Sequence, residues 1–119
     1  MNQVGDHKKK FHAYENAIAI ARAIRPLLDR IGEHDPKLAD EAKRATQSTV
    51  LNTCEGNMRT GKDRLHAFKI ALGSAREIVG TLDMSEVWGY LTADQTKDVR
   101  VLLDKEAAML WRLGRPKKI

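Results

Sequence analysis

Apolar residues recur at steps of three and four through four stretches of this chain, and each stretch ends at a glycine. That spacing places the apolar side chains on one face of an α-helix. No stretch shows the alternation of apolar and polar residues that is typical of a half-buried strand. The pattern therefore predicts an all-α protein with helices over about residues 7–31, 36–56, 62–88 and 92–113.

The apolar face of each predicted helix is the expected core. In the third helix this face runs from Leu65 to Leu82 and can extend to Trp88. Pro26 lies inside the first helix, where it removes a backbone hydrogen bond and is expected to kink or divide the helix. The expected core face of the first helix consists of Phe11, Tyr14, Ile18, Ala21, Ile24, Leu28 and Ile31.

Capping residues mark the expected helix ends. Asp35 precedes Pro36, and a capping residue followed by proline is typical of a helix start. Gly32 is the expected C-cap of the first helix. Capping boxes, in which the N-cap residue and the residue three positions later exchange hydrogen bonds, are expected at Thr60–Asp63 and Thr92–Gln95.

The connections between the predicted helices are short, so consecutive helices should pack against each other in opposite directions. The expected architecture is an antiparallel up-down-up-down four-helix bundle. At 119 residues the chain fits one domain, covering residues 1–119 with a basic tail over 114–119.

Most of the net charge of +5 comes from the two ends of the chain. Between Phe11 and Trp111 there are 14 basic and 15 acidic residues, so the expected bundle body is nearly neutral. Basic end segments can bind phosphates or acidic protein surfaces without a shaped pocket. The alternative is that they only keep the protein soluble.

The sequence favours a soluble cytoplasmic protein. Cys54 is the only cysteine, so no internal disulfide can form, and a reducing compartment is the simpler interpretation. No secretory signal is expected, and no apolar run is long enough to cross a membrane.

No set of residues predicts catalysis, and we expect no enzyme, cofactor or metal. The segment from Gly56 to Asp63 nearly matches a phosphate-binding loop, but it follows a helix, and Asp63 replaces the hydroxyl residue that would bind magnesium. A di-iron bundle needs two Glu-x-x-His pairs, whereas this chain offers only Asp63 and His66. Cys54 has no nearby histidine to activate it.

A polar series follows one face of the second helix at steps of three and four, and it continues onto the third helix. It is either an exposed polar edge or a partly buried hydrogen-bond network that fixes register between helices or subunits. Its members are Arg44, Ser48, Asn52, Glu55, Ser74 and Glu77.

These residues belong to a longer run that closely resembles the bacterial four-helix-bundle family of proteins encoded in intervening sequences of 23S ribosomal RNA genes. The run includes Asn-Thr-Cys-Glu-Gly at residues 52–56, a basic turn through Arg59 and Lys62, and Ala-Leu-Gly-Ser-Ala-Arg-Glu at 71–77. Two positions depart from the family pattern, because Thr53 stands where Ile is usual and Cys54 where Ala is usual.

The resemblance implies a cytoplasmic bundle that assembles as a homopentamer. Relatives include the accessory protein of diversity-generating retroelements, a basic pentamer that binds nucleic acid and a reverse transcriptase. Most members have no known activity, so the resemblance implies binding without naming the ligand.

The function expected from the sequence is therefore a non-catalytic homo-oligomeric module that binds RNA, DNA or a nucleic-acid-handling protein. The alternative is a protein–protein scaffold without nucleic-acid contact.

Large aromatics near helix ends could anchor subunit contacts or close one end of the core; these are Trp88, Tyr90 and Trp111. The expected nucleic-acid contacts are Lys8, Lys9, Lys10, Arg59, Lys62, Arg115, Lys117 and Lys118.

Overall fold

The computed structural model describes residues 11–116, and within that range it contains four α-helices and no strand. The helices are α1 (His12–His34), α2 (Pro36–Met58), α3 (Gly61–Val87) and α4 (Ala93–Leu113). The all-α prediction is confirmed. None of these four helices is long and apolar enough to cross a membrane.

Two of the predicted caps form, and two do not. The Asp35 side chain accepts a hydrogen bond from the Leu38 amide at the start of α2, and Thr92 forms its capping box with Gln95. Gly32 lies inside α1, which continues to His34, so its prediction as a C-cap was wrong.

The capping box predicted at Thr60 was also wrong, because the Thr60 side chain makes no capping hydrogen bond. The chain instead enters α3 through Gly61, whose φ of +59° lies in the left-handed region that favours glycine.

Each helix packs against two others, which closes the four into a compact bundle. The contacts join α1 to α2, α2 to α3, α3 to α4, and α4 back to α1. The main core cluster draws its largest side chains from three of the helices. They are Ile20, Ile24 and Ile31 from α1, Ile78 and Leu82 from α3, and Val99 and Leu103 from α4.

The predicted core face of α1 was wrong in its rotation about the helix axis. Tyr14 is exposed and Ile18 is only half-buried. The prediction was wrong because it followed the bulkiest side chains. The buried face instead includes small residues that let the helix approach its neighbours. Its members are Ala13, Ala17, Ile20, Ile24, Leu27 and Ile31.

Two other expectations are corrected by the positions of the side chains. Of the two effects expected of Pro26, a kink or a break, the break does not occur, because α1 runs on as one continuous helix with Pro26 on its exposed side. Trp88 lies just after α3 with 60% of its surface exposed, so it does not extend the core face.

A close approach between α2 and α3 centres on Gly56. A Cβ atom at that position would lie 2.5 Å from Cε1 of the buried Phe68 ring, so only glycine fits without movement. Arg64 closes the site, because its Nη1 donates to the Gly56 carbonyl at 2.9 Å and its guanidinium lies 4.9 Å from the centre of the Phe68 ring.

We predict that Gly56→Ala lowers the free energy of unfolding by about 1–3 kcal/mol, because the added methyl group overpacks the Phe68 ring. The matched control is Gly32→Ala, where the added Cβ would make an ordinary 3.6 Å contact with Ala39. Alanine is the better helix former, so the control should be neutral or stabilising. Urea unfolding followed by circular dichroism measures both, and equal effects would contradict the close-packing argument.

Candidate functional site

The most unusual group in the core is the carboxyl of Glu106, on the inner face of α4. Its exposed fraction is 0%. Asn16 of α1 donates from Nδ2 to Glu106 Oε1 at 2.9 Å, and the same Nδ2 donates to the Leu102 carbonyl at 2.9 Å. Thr53 of α2 places Oγ1 3.5 Å from Glu106 Oε2. One carboxyl therefore joins three helices.

Burial favours the protonated form of the Glu106 carboxyl, because few strong donors surround it. Thr53 has one hydroxyl proton, and it donates this proton to the Thr49 carbonyl at 2.6 Å. The Thr53 hydroxyl lies 3.5 Å from Glu106 Oε2, at the outer limit of a hydrogen bond, so it gives the carboxyl only a weak donor. Burial raises the pKa of Glu106 to about 7, although the hydrogen bonds from Asn16 and Thr53 oppose that shift.

Sequence reasoning missed Glu106. The available signal was its position, because it follows Leu103 by three residues and precedes Leu110 by four, within the apolar face of α4. A carboxylate at such a position can also lie at the edge of the face, so the sequence pattern alone does not establish burial.

The centre of the predicted polar series does come together. Ser74 of α3 donates from Oγ to Oγ of Ser48 on α2 at 2.7 Å. Asn52 Nδ2 donates to Ser48 O at 3.0 Å and lies 3.1 Å from Ser48 Oγ. These three side chains form one partly buried link between α2 and α3.

The outer members of the series do not join that link. Arg44 forms an exposed ion pair with Asp40 at 3.1 Å. Glu55 pairs with Arg59, the residue just after α2. Glu77 is exposed on α3. The series is thus a small hydrogen-bonded centre with exposed charges on either side.

An open groove lies where α2 and α3 meet at the basic turn. One side of the groove consists of Asn52 and Glu55 on α2 and Arg59 just after it. The α3 side includes Asp63, His66 and Ile70. Lys62 is exposed in the first turn of α3. The groove thus combines two carboxylates, Glu55 and Asp63, with Arg59, and Arg59 already has a carboxylate partner.

The two basic segments are attached at the same end of the bundle. Phe11, next to the first basic segment, lines one apolar groove together with Leu113 and Arg112 near the end of α4. Arg115 is exposed, and its guanidinium lies 4.0 Å from the centre of the Trp111 ring. The other predicted contacts at these ends lie outside the described residues: Lys8, Lys9, Lys10, Lys117 and Lys118.

The three end aromatics have different environments. Trp88 and Trp111 are 60% and 49% exposed. Tyr90 is half-buried in the connection between α3 and α4, where its hydroxyl lies 3.3 Å from Asp35 Oδ2 and its ring stacks on His34. Desolvation and the neighbouring Asp35 carboxylate raise the pKa of Tyr90.

An ion-pair network that sequence reasoning also missed joins α3 to α4. Arg100 Nη2 lies 2.6 Å from Glu86 Oε2 and 2.9 Å from Asp83 Oδ1. Thr96 donates to the same Glu86 oxygen at 2.8 Å. The hydrogen bonds from Arg100 and Thr96 lower the pKa of Glu86. Arg100 is thus the one cation shared by two carboxylates, and the network links α3 to α4.

The comparisons with known proteins add one finding. A family model described as 23S rRNA-intervening sequence protein matches residues 9–112, which is most of the chain. The chain belongs to this family. Comparison with curated proteins and with solved structures gives no significant match.

The two departures from the intervening-sequence family pattern have different surroundings. Thr53 is fully buried, and it supplies the hydroxyl beside Glu106. Isoleucine at that position would leave Oε2 without this partner. Cys54 is half-buried, and a cysteine in place of the usual alanine needs no new polar contact among the described residues.

The raised pKa of Glu106 predicts that the bundle loses stability as pH rises. The unfolded chain releases this proton near pH 4.5 and the folded chain near pH 7, so stability falls between these values and then levels off. The loss should be about 3 kcal/mol, since one pKa unit corresponds to about 1.4 kcal/mol.

Glu106→Gln is the matched variant, because its amide can donate to Thr53 and accept from Asn16 without titrating. Its free energy of unfolding should exceed that of the wild type at pH 8 and lack this pH-dependent loss. If the free energies of unfolding of the wild type and the variant differ by the same amount at every pH between 4.5 and 7.5, the raised pKa of Glu106 is contradicted.

Proposed function

We propose that this member of the intervening-sequence family is a cytoplasmic, non-catalytic homo-oligomer, assembled as a pentamer, that binds nucleic acid or a nucleic-acid-handling protein. The observation that carries the proposal is the attachment of both basic segments at one end of the bundle, where Phe11 and Leu113 line the same groove. The family description, with its reference to 23S rRNA, supports a nucleic-acid context.

Charge at that end suits a polyanion better than a small ligand. Lys8, Lys9 and Lys10 precede Phe11, and Lys117 and Lys118 follow Pro116. The body of the bundle is nearly neutral, so these ends and Arg115 carry the excess positive charge. An oligomer would gather several such ends, and their combined contacts would strengthen a weak attraction for phosphates.

The proposed protomer is a single-domain antiparallel up-down-up-down bundle. Support comes from contacts between the first half of α1 and the second half of α4, as in the hydrogen bond from Asn16 to the Glu106 carboxyl. The single-residue connection at Asp35 between α1 and α2 also favours reversal of direction.

A binding role without catalysis is supported by the chemistry of the described residues. Glu106 is buried in the core. Its polar partners are the Asn16 amide and the Thr53 hydroxyl, and neither is a base or an activated nucleophile. Between residues 11 and 116, no group of three His, Cys, Asp or Glu side chains could hold a metal ion.

The alternative is a protein–protein scaffold without nucleic-acid contact. Exposed Trp88 and Val87 at the end of α3 favour it, since aromatic and apolar side chains are frequent anchors of protein interfaces.

We predict that the protein retains a structured RNA or a duplex DNA in filter binding at about 50 mM salt and loses most of this binding by about 200 mM salt. Replacing Arg115, Lys117 and Lys118 by glutamine should weaken binding and reduce the salt dependence by about one unit of log–log slope for each lost phosphate contact.

The control replaces three arginines exposed on α1, Arg22, Arg25 and Arg30, by glutamine. It removes the same charge from the bundle body and should have the smaller effect. Undetectable binding of both nucleic acids at low salt would refute the nucleic-acid proposal and favour the scaffold. Equal losses in the two variants would show that net charge, not the basic end, governs binding.

A further inference from the structure

An exposed aromatic ring lies at the basic end of the bundle, close to the end of α4. Trp111 keeps 49% of its surface exposed. The guanidinium of Arg115 lies 4.0 Å from the centre of its ring. About half of this large apolar side chain thus stays open to solvent beside a cation.

A second cation, from α3, lies next to the same surface. Gly114 directly precedes Arg115, and a Cβ atom on it would lie 3.4 Å from Cγ of Lys69. Lys69 is exposed, and neither it nor Arg115 forms an ion pair with a carboxylate among residues 11–116. We name Lys69, Trp111 and Arg115 the Trp111 patch.

The charges around the Trp111 patch favour a negatively charged ligand. Lys117 and Lys118 follow the patch in the sequence. On α4 the nearest exposed carboxylate is that of Asp104, two helical turns before Trp111. The ring is therefore accompanied mainly by positive charge, which attracts phosphates.

An aromatic ring among cations is an arrangement by which proteins bind unpaired nucleotides. A base stacks on the ring while the cations contact the neighbouring phosphates. Every base has a face that can stack, so this contact tolerates any sequence. The bases of a duplex are stacked on one another, and they reach such a ring only after they have been unstacked.

The other tryptophan is also exposed, but its surroundings differ. Trp88 follows α3 directly and keeps 60% of its surface exposed. It lies about 30 Å along the bundle from Lys69, at the rise of an α-helix. Its nearest charged neighbours in the sequence are two carboxylates, Glu86 before it and Asp94 after it. These would repel a phosphate backbone, so Trp88 is a matched control for Trp111.

We propose that the Trp111 patch binds single-stranded nucleic acid, with an unpaired base stacked on the Trp111 ring and the adjoining phosphates held by Arg115 and Lys69. This binding mode rests on the nucleic-acid association proposed above and specifies its form, namely loops and unpaired ends rather than duplex. An oligomer offers one such patch in each subunit, so several bases of one strand can be bound together.

The first test compares a DNA single strand of about 20 nucleotides with its own duplex, by fluorescence anisotropy at about 50 mM salt. The single strand should bind about tenfold more tightly. Trp111→Ala should weaken single-strand binding about tenfold, the effect of one lost base–aromatic stack, and should change duplex binding little. Its salt dependence should stay that of the wild type, because no phosphate contact is lost. Trp88→Ala should leave both affinities unchanged.

The second test observes the ring itself. In the Trp88→Phe protein Trp111 is the only tryptophan, and a base stacked on it should quench its fluorescence emission. The single strand should lower this emission at saturation, and the duplex should leave most of it. Trp111→Phe keeps an aromatic ring and should retain most of the affinity that Trp111→Ala loses.

Equal single-strand affinities of the wild type and Trp111→Ala, or an emission that the single strand leaves unchanged, would overturn the stacking contact. Nucleic-acid binding through the basic segments would then still stand. Failure of both strands to bind at low salt would overturn the stacking contact together with the nucleic-acid association. A change of particle mass in Trp111→Ala, measured by sedimentation velocity, would assign the ring to a subunit contact and would also overturn stacking.

Discussion

A carboxyl group in the middle of the bundle limits how three of its helices can be arranged. Glu106 on α4 is reached by Asn16 from α1 and by Thr53 from α2. Burying an ionised carboxylate with few strong donors costs several kcal/mol, and burial accordingly raises the pKa of Glu106 to about 7. Any shift of α1 or α2 along α4 would break these bonds and leave a polar atom unpaired.

The remaining helix, α3, is positioned both by shape and by polar contacts. The Phe68 ring of α3 lies against the Gly56 backbone of α2, and the Ser74–Ser48 hydrogen bond joins the same two helices. Further along, Arg100 ties α4 to α3 through Glu86 and Asp83. The core is therefore fixed by a few specific contacts in addition to its apolar packing, and it leaves recognition to the outer surfaces.

The sequence predicted those features that depend on local chemistry. The four helices and the caps at Asp35 and Thr92 follow from residue spacing and from side chains that bond to a nearby backbone amide. Features that depend on neighbouring helices were missed or misplaced. The core face of α1 includes Ala13 and Ala17, whose burial depends on how closely another helix approaches, and Glu106 looks like any other helical carboxylate until its surroundings are known.

The same distinction applies to the candidate binding surfaces. The spacing of Ser48 and Asn52 indicated a shared face, but only the packing of α3 brings Ser74 to it. The basic ends were evident from the sequence, whereas their attachment at one end of the bundle depends on how α1 packs against α4. The family resemblance, which rests on residues 52–77 and their surroundings, is confirmed by the match over residues 9–112.

The claim on which this description of the core depends is that Glu106, buried among three helices, keeps its proton up to about pH 7. A carbon-13 NMR titration of the glutamate side-chain carboxyl carbons tests it most directly, with the Glu106 signal assigned by its absence from the spectrum of the Glu106→Gln protein. The structure predicts a titration midpoint near pH 7 for this carboxyl. A midpoint at or below about 4.5, the range of an ordinary glutamate, would contradict it.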